Sequence, residues 1–503
     1  MFTNTKESGL ETLIVKWLVE HNGYEEGSNA DYNKEYAIDE TRLFRFLQDT
    51  QPEQMDKLGV FKSEQKKRQF LNRLQGAIAK RGIIDVLRNG IKVYPVDLIM
   101  FYLTPTENNA KAREMFEKNI FSVTRQLRYS QDSGKLALDM CVFINGLPII
   151  TFELKNQITK QNADDAVQQY KDDRDPREML FQFKRCMVHF AVDDARIKFC
   201  TKLAGKDSWF LPFDKGYNDG AGNPPNPDGL MTDYLWKDIL TKEKLTLIIE
   251  NYAQVVVEVD EDTKKKKEKQ IFPRYHQLDV VTKLLADVKT NGVGKKYLIQ
   301  HSAGSGKSNS ISWLAHHLSN LHDKNDKVIF NSIIVITDRL VLDKQLQDTI
   351  YQFEHVEGVV VKIDNNASQL ADALNTGKKI IITTLQKFPF ILEKVDDLSG
   401  KRFAIIVDEA HSSQTGEASK KMKAILGDTE GLTEEEQLQK VADEEAKEEH
   451  KQSDSEDEIT KEMATHGRLT NLSFFAFTAT PKGQTLETFG TVVGQTPEGE
   501  PIK

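Results

Sequence analysis

The sequence predicts an α/β protein in two consecutive parts: a first domain built around an antiparallel hairpin, and a second built on a parallel sheet covered by helices. Three observations predict it. Two apolar runs, LALDMCVFI and PIITFELK, flank Asn145 and Gly146, and Asn-Gly marks a hairpin because both residues tolerate the left-handed backbone of a tight turn. Beyond residue 270, five short apolar strands (KKYLIQ, NSIIVITD, KKIIITT, RFAIIVDEA and LSFFAFTAT) alternate with helical segments, the pattern of a parallel sheet buried on both faces. Between the two parts lies a charged run, DEDTKKKKEK at 260–269.

The domain reading is therefore 1–258, mixed α/β; 259–270, a solvated charged linker; and 271–503, the parallel-sheet domain. The first domain finishes in a turn-rich loop, DKGYNDGAGNPPNPD at 214–228, and the helical stretch TDYLWKDILTKEKLTLIIENY. A chain of 503 residues has room for two large domains, and no period of 20 to 50 residues points to a solenoid or propeller. The net charge of −9 argues against a nucleic-acid partner only until it is located: the segment 428–462 carries 15 acidic and 4 basic residues, and the rest of the chain is at +2. That segment interrupts the strand–helix alternation and reads as a surface insertion. Cys141, Cys186 and Cys200 are too few and too scattered for a disulfide framework or a four-cysteine zinc site, which fits the cytoplasm. No run of about 18 apolar residues occurs, so no membrane partner is expected.

In the second domain the strand KKYLIQ runs into His301-Ser-Ala-Gly304-Ser305-Gly306-Lys307-Ser308 and then a helical segment. Small residues let backbone N–H groups curl around phosphates, Lys307 supplies a point charge, and the Ser308 hydroxyl can ligate Mg²⁺. His301 stands where the pattern's first glycine is usual. About a hundred residues on, Asp408 and Glu409 end the strand RFAIIV; a carboxylate at a strand tip can hold Mg²⁺ and its neighbour can orient or deprotonate an attacking water. An ATP site with Gly304, Ser305, Gly306, Lys307, Ser308 and Asp408 as binding residues and Glu409 as the catalytic carboxylate is the expectation. Thr478-Ala479-Thr480 ends a further strand.

In the first domain, register decides whether Asp139, Glu153 and Lys155 converge. A two-residue Asn-Gly loop pairs Asp139 with Phe152 and turns it away from Glu153. A loop or bulge adding one residue sets Asp139 opposite Glu153, with Lys155 on the same face. Two acids so placed repel unless a cation lies between them. The loop 145–147 is expected to contain an odd residue or a bulge, with Gly146 a natural place for positive φ. Such a cluster suits phosphodiester cleavage: Asp139 and Glu153 hold Mg²⁺, and Lys155 orients the nucleophile.

These motifs carry a resemblance. GSGKS, DEAH and TAT in that order look like motifs I, II and III of superfamily 2 helicases and DNA translocases, and FPRYHQ at 272–277 is similar to the adenine-reading Q-motif, which implies that Gln277 binds adenine. Thr337-Asp338-Arg339 with Leu342, Asp343 and Gln345 resembles motif Ia, and TTLQK at 383–387 motif Ib, segments that touch nucleic-acid backbone in that group. The D…ExK arrangement resembles the PD-(D/E)xK nuclease core, although no proline precedes Asp139. Gln168, Gln169 and Tyr170 in the following helix are similar to a Gln/Tyr element found after that core, with departing spacing. Together with GYEEGSNA at 23–30 and FELKN at 152–156, the chain resembles the restriction (R) subunit of type I restriction-modification enzymes.

That resemblance implies a PD-(D/E)xK nuclease domain followed by a RecA-like motor lobe. It also implies ATP and Mg²⁺ as cofactors, duplex DNA as substrate, and methyltransferase (M) and specificity (S) subunits as partners. It places a second motor lobe, with an arginine finger, and a helical region beyond residue 503; a first lobe alone should bind ATP weakly and hydrolyse it poorly. Two other readings fit the same motifs: a repair-type helicase-nuclease fusion, and a non-catalytic nucleotide-dependent DNA-binding scaffold.

Overall fold

The computed structural model describes residues 7–105, 109–156, 160–218, 220–259, 264–302, 304–337, 340–353, 358–363, 367–384, 400–408, 470–479, 494–495 and 501–502. The chain divides into two compact units, Met1–His276 and Gln277–Lys503. Both are mixtures of helix and sheet, so the expected α/β class holds. No helix among the described residues is long and apolar enough to cross a membrane.

The first unit is organised on a seven-stranded sheet whose strands follow chain order: Glu25–Glu26, Phe121–Leu127, Leu138–Ile144, Leu147–Leu154, Val188–Val192, Ile197–Cys200 and Leu211–Pro212. Three antiparallel strands from Phe121 to Leu154 form its centre, and Leu147–Leu154 then runs parallel to Val188–Val192. A parallel neighbour needs a crossover, and the helix Ala163–Asp173 supplies it. Asn162 starts that helix with a capping box: its side chain accepts from the backbone of the first turn while Asp165 reaches back to the Asn162 N–H. Every residue of Leu147–Leu154 is buried, because both faces of the sheet are covered. On one of them Tyr170, Leu127, Phe143, Phe181 and Ala166 share a core. Burying a side chain such as Phe143 contributes about 2–3 kcal/mol each.

Part of the charged run expected as a linker, Lys266–Lys269, is strand. Lys266–Ile271 pairs antiparallel with Gln254–Val259 along its whole length, and the hairpin belongs to the first unit. Composition hid this because the lysines are exposed, while the buried Gln270 donates to the Cys186 and Met187 carbonyls at 2.8 Å each. Lys184 adds a 2.8 Å ion pair to Glu268.

The second unit carries a six-stranded sheet, all parallel, in the order Lys296–Gln300, Leu472–Thr478, Phe403–Asp408, Ser332–Thr337, Ile380–Thr384, Val360–Lys362. These are the five strands anticipated from the apolar runs, joined by one more at the edge. Ile334, Ile336, Ile381, Ile405, Val407 and Phe474 pack in one core, as parallel strands covered on both faces require. The acidic segment 428–462 lies outside the described residues.

Candidate functional site

The hairpin Leu138–Leu154 turns on two residues. Asn145 and Gly146 both have positive φ, 49° and 78°, the backbone of a tight two-residue loop. Asn145 is buried and fastens the turn, accepting from the Ile120 N–H at 2.7 Å and donating to the Met100 carbonyl at 2.9 Å. A Cβ at Gly146 would lie 2.3 Å from the Asp39 carbonyl oxygen and 2.6 Å from the Leu43 nitrogen, so only glycine lets the turn dock there.

Near the turn the register is that of the two-residue loop, Ile144 opposite Leu147 and Phe143 opposite Pro148, and then it shifts: Val142 faces Ile150 and Met140 faces Phe152. The extra residue is Ile149, on the outgoing strand. This corrects the expectation of a bulge within 145–147. A contact from the parallel side of the sheet accompanies the shift: the Ile149 carbonyl accepts from the Met187 N–H at 2.8 Å. With the shift, the next positions along the pair are Asp139 and Glu153.

Asp139 Oδ2 accepts from the Leu154 N–H at 2.7 Å, and Gln126 Nε2 reaches Asp139 Oδ1 at 3.4 Å and Glu11 Oε2 at 2.7 Å. Glu153 is fully buried. Its Oε1 accepts from Arg174 Nε at 2.6 Å, while Oε2 is buried with no hydrogen-bond partner among the described residues. Burial, and then the Asp139 charge, push the Glu153 carboxyl up to about 8; Arg174 and Lys155 act in the opposite sense. The structure thus brings Asp139, Glu153 and Lys155 within one electrostatic neighbourhood, and Lys155 is itself 7% exposed. Arg174, held over the Tyr129 ring at 5.6 Å, escaped sequence reasoning, as did Glu11 and Gln126. A basic residue just past the helix was the only signal for Arg174. Of the Gln/Tyr element, Tyr170 is buried with its hydroxyl 2.8 Å from Thr151 Oγ1, while Gln168 is exposed and bonds Asp172.

In the second unit the C-terminal strand tips collect the other predicted residues. The ladders pair Gln300 with Thr478, Asp408 with Phe477, and Thr337 with both Asp408 and Thr384, which puts the motifs along the edge where open α/β sheets bind ligands. The loop after Gln300 holds Gly304 and Gly306 at φ 72° and 85° and enters the helix Lys307–Ser319 with no side-chain cap, leaving first-turn N–H groups without helical partners. Lys307 Nζ is 3.7 Å from Asp408 Oδ1. Ser308 is partly exposed in that first turn. Buried Gln277 donates from Nε2 to the Gly306 carbonyl at 2.9 Å. A Cβ at Gly306 would meet that same nitrogen at 2.4 Å. Glu409, Thr480, Asp338, Arg339 and 385–387 lie outside the described residues, as do the side chains of Leu342, Asp343 and Gln345.

Residues 4–208 match the family described as type I restriction enzyme R protein N terminus, and residues 276–433 match the SWI2/SNF2 ATPase family. The chain is 24% identical over 409 residues to a putative type I restriction enzyme MjaVIIIP endonuclease subunit of Methanocaldococcus jannaschii, covering 74% of this chain and 36% of that protein. It is 27% identical over 315 residues to the HindI endonuclease subunit of Haemophilus influenzae, covering 60% and 28%. The SauCOLORF180P endonuclease subunit of Staphylococcus aureus is 25% identical over 313 residues, 61% and 30%. The fold and these matches define a restriction-type N-terminal domain followed by an SNF2-type ATPase domain. Its N-terminal part is similar to the R protein of type I restriction enzymes, and the chain spans about a third of the length of these relatives.

Proposed function

We propose that this chain forms the nuclease and first motor-lobe portion of a type I restriction endonuclease, in which ATP-dependent translocation of duplex DNA is coupled to Mg²⁺-dependent cleavage. The first unit is then a PD-(D/E)xK nuclease domain and the second a RecA-like lobe. The partners are M and S subunits, the latter supplying sequence recognition. The working compartment is the cytoplasm.

The observation that carries the nuclease reading is the bulge at Ile149, which sets Asp139 next to Glu153 instead of on the far face. The residues suit a divalent cation: the buried Glu153 Oε2 has no hydrogen-bond partner among the described residues, and the Asp139 charge raises the Glu153 pKa. Asp139 and Glu153 would hold Mg²⁺, which neutralises charge at the phosphate and acidifies a water. The Leu154 N–H fixes the Asp139 carboxylate, and Lys155 orients the nucleophile. For the motor, the approach of Lys307 to Asp408 supports a site for ATP with Mg²⁺, with Ser308 as a further ligand, Glu409 as the acid that handles water and Gln277 beside the loop.

The test is cleavage by the full-length protein assembled with M and S subunits. Unmethylated duplex should be cut only when ATP and Mg²⁺ are both present. Cutting that needs neither ATP nor the partner subunits would overturn the reading.

A further inference from the structure

The phosphate loop departs from its usual pattern at His301, and the departure has a structural use. His301 is 5% exposed. Its backbone N–H donates to the Thr478 carbonyl at 2.8 Å, so the loop leaves the sheet at a residue tied to the neighbouring strand. Its ring reaches two serines at once: Nδ1 bonds Ser305 Oγ, and Nε2 lies 3.1 Å from Ser310 Oγ. The proton positions follow from counting donors. The Ser305 hydroxyl donates its one proton to the Ser302 carbonyl, so it accepts from His301 Nδ1–H. Nε2 then meets the Ser310 hydroxyl on the other side of the ring.

Ser305 sits between Gly304 and Gly306, both in the left-handed region. A loop with two glycines loses more conformational freedom on ordering than any other, and whatever orders it in advance lowers what a ligand must supply. The His301 ring ties the middle of the loop, through Ser305, to the helix Lys307–Ser319, through the fully buried Ser310.

We infer that His301 is a positioning residue for nucleotide: its imidazole braces Ser305 and pre-forms the phosphate loop. This rests on the ATP-site reading of 304–308. The test uses the chain as it stands, reading the Kd of a fluorescent ATP analogue with Mg²⁺ by anisotropy, with thermal melting as the control for folding. His301→Asn keeps an amide donor at the Nδ1 position and should bind within about threefold of the parent, while His301→Gln, whose amide reaches only Ser310, and His301→Ala should bind about tenfold more weakly, the loss expected for one buried hydrogen bond. Folded Gln and Ala variants that bind like the parent would overturn the inference, as would equal losses in the Asn and Gln variants. Lys307→Ala separates the two readings: undiminished binding there sinks the ATP site itself, whereas loss there with undisturbed His301 variants sinks only the brace.

Discussion

Lys307 Nζ stands 3.7 Å from Asp408 Oδ1, each side chain about 15% exposed, although a hundred residues and an intervening strand separate them. The loop's cation and the strand-tip carboxylate therefore face one space, in which a nucleotide's phosphates and its metal would meet complementary charge. Lys307→Ala should weaken ATP-analogue binding by at least about tenfold and abolish ATP hydrolysis and ATP-driven cleavage in the full-length enzyme. Asp408→Asn and Glu409→Gln should stop hydrolysis too, with the Glu409 change better preserving binding. ATPase assays decide; an active Lys307→Ala enzyme removes this residue from the site.

Asp139→Ala, Glu153→Ala and Lys155→Ala should each eliminate DNA cleavage in the assembled full-length enzyme while leaving ATPase near the parent rate, because the nucleotide residues lie beyond 276. Plasmid linearisation and phosphate release, measured side by side, separate the two activities. An Asp139→Ala enzyme that still cuts would remove Asp139 from catalysis.

The Arg174–Glu153 pair is buried on both sides, at 4% and 0% side-chain exposure. Removing Arg174 takes the hydrogen-bond donor from a buried carboxyl, so Arg174→Met should destabilise the first unit by about 1–3 kcal/mol. The double variant Arg174→Met with Glu153→Gln should recover part of that loss. Denaturant unfolding of the four proteins in a double-mutant cycle measures the coupling; strictly additive effects would contradict the pairing.

Gly146→Ala should be costly for two reasons that act together, a φ of 78° and a Cβ directed at the Asp39 carbonyl. A loss of about 2 kcal/mol or more is expected. Gly134, where an added Cβ meets nothing within 4 Å, is the matched control, and its change to Ala should leave the melting temperature nearly unmoved.

His189 is buried beside Thr151, and burial pushes its pKa down to about 3. The unfolded chain, with an ordinary pKa near 6.5, binds this proton more readily than the folded one. Its contribution is therefore complete above about pH 6.5 and is lost as pH falls toward 3, by up to about 1.4 kcal/mol per pH unit. His189→Gln should flatten that slope in denaturant melts between pH 7 and 4; an unchanged slope would place the titration elsewhere.

What the sequence by itself determined was local. The Asn145-Gly146 turn, the alternation of apolar strands with helices, and the loop from Gly304 to Ser308 depend on residues adjacent in the chain, and the first two follow from backbone freedom and side-chain periodicity alone. The tertiary structure decided what depends on distant neighbours. The two-residue turn by itself would have turned Asp139 away from Glu153; a hydrogen bond from Met187 to the bulged Ile149, 38 residues apart, accompanies the shift in register. The end of the charged run is strand, and the Gln270 that follows it donates to the Cys186 and Met187 carbonyls. Arg174, Gln277 and His301 acquired their partners the same way, since a buried polar group must be satisfied by whatever the fold brings to it, and no local pattern in the chain records which residue that will be.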